Sequence, residues 1–406
     1  MLSRAFISLY VAVFVATMGI SMVSPLLPVY ARDLGASGVW IGLTFSAFAI
    51  VQAIVGPFVG QWSDRYGRKP FIIAGLLVYM VAALGYLTAN SFPQVIAFRA
   101  FSGLGTSLIF SVARAYVGDM TPRGQEGRWA GVFATADIIG FGTGPLFAGV
   151  FREVLGFRSV FVAMAVLMAL SAIIAFAFLP RTIHSSVDSV KRNPTATDQG
   201  LRAALHDRLV RALTIHMGLL SLASGATFGF LAIRLEDGLH VTPILIGIAF
   251  ATQDISGGLT QPLFGRIADR SDRRLMVAVG LAWSAVMLIG LGFANSYWLA
   301  LVLLCLSGAG GAFSQVAAGA MQVVAGRRVG MGSVLGLGSM GNGIGIVIGS
   351  VVGGLLIDLI ALPAAFVFGG CAMFLGMLAF LQLTRGLRTN ESDGEPALGE
   401  AAIGAA

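Results

Sequence analysis

Residues 60–69 read GQWSDRYGRK and residues 265–274 read GRIADRSDRR, the same charged turn written twice, 205 positions apart in a chain of 406. The register extends outward from this pair. At the same offset Ile41, Gly42, Phe45 and Pro57 match Ile246, Gly247, Phe250 and Pro262, and Gly60, Asp64, Arg65 and Arg68 match Gly265, Asp269, Arg270 and Arg273. Ala89-Asn90-Ser91 recurs as Ala294-Asn295-Ser296, and Ser102-Gly103-x-Gly105 as Ser307-Gly308-x-Gly310. One ungapped register held over this distance is a two-fold internal repeat.

The solvent follows from composition. With 57% hydrophobic and only 11% charged residues, against roughly 25% charged in soluble domains, the chain is built for lipid. Apolar runs of about 20 residues cross a hydrocarbon core of roughly 30 Å at ~1.5 Å per residue. Twelve are predicted: 6–29, 40–60, 71–89, 93–117, 129–150, 157–179, 212–234, 244–264, 275–294, 297–322, 330–357 and 363–384. Connections as short as Asn90 to Phe92 and Asn295 to Ser296 make neighbouring spans antiparallel hairpins. Twelve spans put both ends on one side, and Lys and Arg flanking the spans decide which. Of the 26 basic residues only Arg32, Arg152, Arg158 and Arg234 fall on the other side, with Arg99 and Arg114 inside spans, so both termini are expected in the cytoplasm. A net charge of +7 then needs no nucleic acid; anionic lipid headgroups are the expected partner of the basic loops. The first span is read as a retained helix because it is too long for a signal-peptide core. Cys305 and Cys371 both lie in spans and imply no disulfide framework.

Four segments are expected: an N-terminal six-helix bundle over 1–180, a cytoplasmic linker over 181–211, a C-terminal six-helix bundle over 212–385 and a disordered cytoplasmic tail over 386–406. The linker is polar and aperiodic. Near its end Leu201, Leu205 and Leu209 fall at i, i+4 and i+8 among basic residues, which predicts a short amphipathic helix on the membrane face.

The pattern G-x-x-x-D-R-x-G-R-K, carried by Gly60, Asp64, Arg65, Gly67, Arg68 and Lys69 between spans two and three of a six-plus-six chain, resembles the major facilitator superfamily from the first span to the last. The resemblance implies an all-α membrane protein of twelve transmembrane helices in two pseudo-symmetric six-helix bundles around a central cavity that opens alternately to each side, with sites near the midplane. In span five Gly131, Gly140, Gly144, Pro145 and Gly149 give G-x8-G-x3-G-P-x2-A-G, which resembles the motif of drug:proton antiporters, with Ala148 replacing the first glycine of the usual final pair. The repeat echoes it as Gly336, Gly345, Gly349, Ser350, Gly353 and Gly354. Small residues four apart let backbones approach and a proline bends a helix, so span five is expected to be a close-packed, kinked hinge. Arg99 in R-x-x-x-G-x-G of span four resembles the superfamily's arginine motif, though Ser102 stands where the family carries glutamine. Pro25 to Pro28, PLLP, resembles drug exporters, but span one has no acidic residue.

Gly60 and Gly67 permit tight turns, Asp64 suits a helix N-terminus, and Arg68 can pair with a carboxylate such as Asp119. The resemblance implies a cytoplasmic latch made by this loop and by its copy at Gly265, Asp269, Arg270 and Arg273; an ordinary solvated turn is the alternative. Ionisable groups at membrane depth cost at least about 2.5–3.5 kcal/mol and are functional by default. At the 205 offset Asp137 faces Asn342, Asp254 faces Ala49, Arg99 faces Leu304 and Arg114 faces Gly319. The buried charges break the symmetry that the glycines keep, so they are candidates for the working site. Asp137 is the leading proton-coupling candidate, Asp254 the next, and Arg99 either tunes a carboxylate or binds an anionic cargo. The alternative at each aspartate is neutralisation by Arg99 or another buried partner, with no transport role. Arg114, near a span end, reads as snorkelling to headgroups. Gln253, Gln315, Gln322 and Asn342 are possible cavity-lining polar groups or interhelical hydrogen bonds.

These residues together predict a proton-coupled exporter of amphipathic or lipophilic small molecules; the alternative is a proton-coupled transporter of a defined metabolite such as a sugar, organic anion or lipid. An enzyme is disfavoured, because no His/Cys/Asp cluster has metal-ligand spacing and the glycine-rich runs lack the Lys-Ser/Thr of a phosphate cradle. No cofactor or metal is expected, and the family expectation is a monomer.

Overall fold

A computed structural model describes residues 4–122, 125–180 and 204–387. The expected linker from 181 to 203, including the first three residues of the amphipathic segment, and the tail from 388 lie outside the described residues. Twelve helices follow one another: α1 (Arg4–Asp33), α2 (Gly38–Tyr66), α3 (Arg68–Thr88), α4 (Phe92–Met120), α5 (Glu126–Leu155), α6 (Phe157–Phe178), α7 (Arg208–Leu239), α8 (Pro243–Ala268), α9 (Arg273–Gly292), α10 (Tyr297–Val329), α11 (Met331–Leu359) and α12 (Leu362–Leu383). Most run past the predicted spans at the end that carries the 60–69 and 265–274 loops, called here the loop end; the opposite end is the far end.

Local chemistry explains the interruptions. α1 breaks into a turn at 24–26, where Pro25 removes a backbone donor and Pro28 begins a new first turn. α4 passes through one π-helical turn, Ser107–Ser111, the kind of local widening that recurs at functional sites. The segment read as an amphipathic helix lies partly outside the described residues; within them 204–206 are helical and the turn stops at Asp207, whose carboxylate accepts from the N–H of Leu209 (2.8 Å) and Val210 (3.0 Å). That cap starts α7, so Leu209 is buried in the first turn of a spanning helix and Leu205 is left exposed. The leucine spacing was divided between two elements by a single capping residue.

Among the described residues eleven helices contain a stretch long and apolar enough to cross a membrane. The exception is α8, whose middle reads Thr252, Gln253, Asp254, Ser256, Thr260 and Gln261. At 26 residues it is long enough to cross at ~1.5 Å per residue, and it packs between α5 and α10 in the bundle. Gln253, Asp254 and Gln261 on it line a cavity, while Ile255, Leu259 and Leu263 are exposed.

Packing follows the repeat. In the first half α1 packs on α5 and α6, α3 on α6 and α4, and α2 on α4; in the second half α7 packs on α11 and α12, α9 on α12 and α10, and α8 on α10. Each contact is the 205-residue counterpart of another. The halves meet mainly through α2 against α11 and α5 against α8, again a symmetric pair. Glycines set the closeness of these contacts: a Cβ at Gly140 or Gly144 would meet α1 at Thr17, Met18 and Ser21, and one at Gly345 or Gly349 would meet α7 at Gly218 and Leu222. Gly149 faces Pro243 and Gly354 faces Gly38 across the halves. α5 runs as one unbroken helix through Pro145.

Candidate functional site

The two interfacial helix pairs diverge from the far end to the loop end. At the far end their backbones touch, Gly38 and Gly42 against Gly354 and Ser350, Gly149 and Gly247 against Pro243 and Pro145. Midway the contacts pass through side chains, Gly142 against Ile255 and Gly258 against Ile138. Toward the loop end a Cβ at Gly60, Gly131, Gly265 or Gly336 would meet nothing within 4 Å. The molecule is therefore shut at the far end and parted at the loop end.

Between the halves lies a cavity of about 600 Å³, within the range of a drug-sized site. Asp137 and Phe141 of α5 line it from the first half; Ser221, Phe228, Gln253, Asp254, Gln261, Gln315 and Asn342 are among its lining in the second. Phe228 of α7 lines it, backed by two further rings to which it lies edge-on, Phe45 (centroids 6.5 Å) and Phe250 (5.1 Å). Phe45 and Phe250 are themselves 205 apart.

The two aspartates share this cavity but not its chemistry. Asp137 accepts a hydrogen bond from Thr17 Oγ1 at 3.3 Å and feels the charge of Arg114. Among the described residues no ion pair or hydrogen bond holds Asp254. Asn342 donates to Ser221 Oγ at 2.6 Å and ties α11 to α7. Gln253 and Gln315 line the cavity; Gln322 does not, lying two turns further toward the loop end opposite Gly338. Gln261 and Phe228 were missed by the sequence reading. The signal for Gln261 was available, since it follows Asp254 at i+7 on the same helix face.

Arg99 lies apart from both aspartates. It is buried, with its guanidinium 4.3 Å from the ring of Phe48 and 5.6 Å from that of Phe45, and its Nε has no hydrogen-bond partner among the described residues. Two cation–π contacts, each worth about 0.5–2 kcal/mol, hold a cation against these rings rather than in the cavity.

The loop residues form a network inside the first half. Gly67, at φ +90°, joins α2 to α3 with a single residue. That conformation costs a side chain but not glycine. Arg68 then reaches Asp64 (2.5 Å), Asp119 (3.0 Å) and Ser63 Oγ (2.6 Å), while Arg65 stays exposed. Lys69 donates to the carbonyls of Phe176 and Leu179, both at 2.6 Å, at the end of α6. In the second copy Arg274 donates to Leu381 O at 2.6 Å, the counterpart of Phe176, but among the described residues Arg273 finds only Ala268 O at 3.2 Å. No carboxylate replaces Asp119, since position 324 is valine. Asp272, standing where Gly67 does, has φ −65° and caps Arg274 N at 2.8 Å; α8 accordingly ends at Ala268, three residues earlier in register than α2, and Asp269 and Arg270 lie in the turn. Truncating Arg68 to alanine leaves two carboxylates without their shared cation and is expected to cost about 1–2 kcal/mol, read as a lower melting temperature in detergent. Arg273→Ala should melt within about 0.5 kcal/mol of the parent.

The Major Facilitator Superfamily profile matches residues 9–234 and, a second time, residues 213–403, one match for each copy of the repeat. The chain belongs to the Major Facilitator Superfamily. This membrane transporter is similar to an uncharacterised MFS-type transporter of Methanocaldococcus jannaschii, with 24% identity over 93% of this chain and 97% of that protein. It is also similar to the quinolone resistance protein NorA of Staphylococcus aureus, with 28% identity over 71% of this chain and 74% of NorA. Among solved structures, a bacterial homologue of the human lysosomal transporter Spinster, in an inward-facing and occupied conformation, has a TM-score of 0.78 at 15% identity, covering 98% of this chain and 100% of its own. The human organic anion transporter MFSD10 (TETRAN) has a TM-score of 0.65 at 18% identity, covering 93% and 99%. At these identities the structural likeness concerns the fold of the transporter.

Proposed function

We propose that this transporter exports amphipathic or lipophilic small molecules across the cell membrane in exchange for protons, by alternating access, with the loop end in the cytoplasm. The observation that carries the reading is one cavity of about 600 Å³ into which each half contributes an aspartate, Asp137 from α5 and Asp254 from α8. Phe141, Phe228, Met217 and Met373 give that cavity apolar surface for a lipophilic body, while the carboxylates and amides offer polar anchors. A carboxylate poised between desolvation and a nearby cation exchanges its proton as its surroundings change. Cargo entering from the loop end competes with that proton, and closure of the loop end with opening of the far end carries the cargo across. The basic side chains at the loop end support its cytoplasmic placement, and the likeness to NorA supports a drug-like cargo.

The driving force suffices: one unit of pH gradient gives about 1.4 kcal/mol per proton and 100 mV adds about 2.3 kcal/mol per charge. The test is lumenal pH in proteoliposomes reconstituted with the purified chain, scanned over chemically varied compounds. Proton flux evoked by several unrelated lipophilic compounds that compete with one another is the expected result. Flux evoked by a single metabolite without competition would replace this reading with the narrower one, and no flux with any compound would end proton coupling.

A further inference from the structure

We propose that Asp358 and Glu153 are a matched pair of far-end locks, each a carboxylate of one half seated on the N-terminus of a helix from the other, and that they hold the transporter shut at that end. Asp358, at the end of α11, accepts from the backbone N–H of Gly38 (2.6 Å) and Val39 (2.9 Å) at the start of α2. Glu153, at the end of α5, accepts from the N–H of Ile244 (3.0 Å) at the start of α8. The first N–H groups of a helix have no partner within it and carry the positive end of its dipole. A Ser or Thr at the N-cap ordinarily satisfies them. Here Ser37 and Thr242 occupy those positions, and neither makes a capping hydrogen bond. Capping has been handed to the opposite half, so it exists only while the halves are together at this end.

The repeat shows that the arrangement is built. Glu153 and Asp358 are 205 residues apart, as are Val39 and Ile244, although none of the four drew notice in the sequence. The locks are unequal for a stated reason: the counterpart of Gly38 is Pro243, which has no N–H to donate, so Asp358 holds two donors and Glu153 one. Ion pairs also cross here, Arg152 with Glu236 in a two-point contact at 2.6 and 2.8 Å and Arg32 with Asp237 and Glu236. Arg152 is only 10% exposed and holds Glu236 by both oxygens, so this network reinforces the closed far end beside the two caps.

The proposal rests on the alternating-access reading but is tested without cargo or gradient, so its failure leaves that reading standing. In the full chain with Cys305 and Cys371 replaced by serine, spin labels at Asn90→Cys and Asn295→Cys would report the far-end separation by double electron–electron resonance in nanodiscs. Both asparagines are exposed, one in each half. A second pair at Gln61→Cys and Arg266→Cys, also exposed, would report the loop end. Asp358→Ala is expected to raise the ratio of far-end-open to far-end-closed molecules about tenfold and Glu153→Ala about threefold, with the product in the double variant. The loop-end distance should shorten in step, and Asp358→Glu should keep the parent distribution. Both carboxylates are exposed, so truncation leaves no void. Unchanged distances in both alanine variants would overturn the proposal, as would a shift by Asp358→Glu equal to that of Asp358→Ala.

Discussion

Valine at position 144 is expected to destabilise the folded transporter by about 3 kcal/mol and to remove most of it from the membrane. A Cβ there would fall on Ser21 Oγ, 2.5 Å from Met18 O and 3.0 Å from Met22 N. Backbone of α1 cannot step aside without parting α1 from α5. Overpacking alone costs about 1–3 kcal/mol, and the bond that Ser21 donates to Gly140 O at 2.9 Å would be lost with it, for a further 1–3 kcal/mol or so. The contrast lies in the same motif. Gly149→Ala places its Cβ 2.5 Å from Pro243 O and 2.9 Å from Ile244 Cα, a clash between halves, which rigid-body opening of the far end relieves. Gly131→Ala meets nothing within 4 Å and should be neutral or slightly stabilising, since alanine suits a helix better than glycine by up to about 1 kcal/mol. Melting in detergent and membrane abundance read all three; a Gly144→Val protein that melts like the parent would show that α1 and α5 are not packed as described.

The second large effect concerns transport. Asp254→Asn is expected to lower proton-driven uptake into inverted vesicles at least about a hundredfold, the lower range for losing a group that carries a proton in the working cycle. Downhill exchange of cargo should survive, because asparagine keeps the volume and the polar anchor. Asp137→Asn should follow with a smaller loss. This order reverses the one drawn from the sequence. Asp137 has the hydroxyl of Thr17 to answer it, whereas Asp254 stands in the cavity with no partner among the described residues and has only solvent or cargo to balance its charge. Full coupling in Asp254→Asn would remove it from the proton path.

The fold was legible because the repeat constrained it. An offset of 205 read from a turn of ten residues correctly pairs Gly149–Pro243 with Gly38–Gly354, and Lys69–Phe176 with Arg274–Leu381. The span over 244–264 was legible as an apolar run despite the polar middle of α8, and the register agrees with it, since Gly42 and Phe45 of α2 recur there as Gly247 and Phe250. Side-chain direction was not legible. Arg99 could be placed at membrane depth but not behind Phe45 and Phe48, because a span read as a string does not say which face meets which neighbour. Gln322 and Gln315 looked alike in sequence and differ in the structure by two turns of one helix. The far-end carboxylates were missed for a different reason: at the exposed ends of spans, Glu153 and Asp358 look like solvated charge until the helix they cap is known.

The central claim, that cargo and protons share one cavity, is tested most directly by adding a transported compound to the purified protein in weakly buffered detergent and recording pH. The account predicts that cargo binding releases protons from the parent protein and releases none from the Asp137→Asn/Asp254→Asn variant, which still binds the compound. Binding without proton release in the parent, or equal release in the double variant, would contradict it.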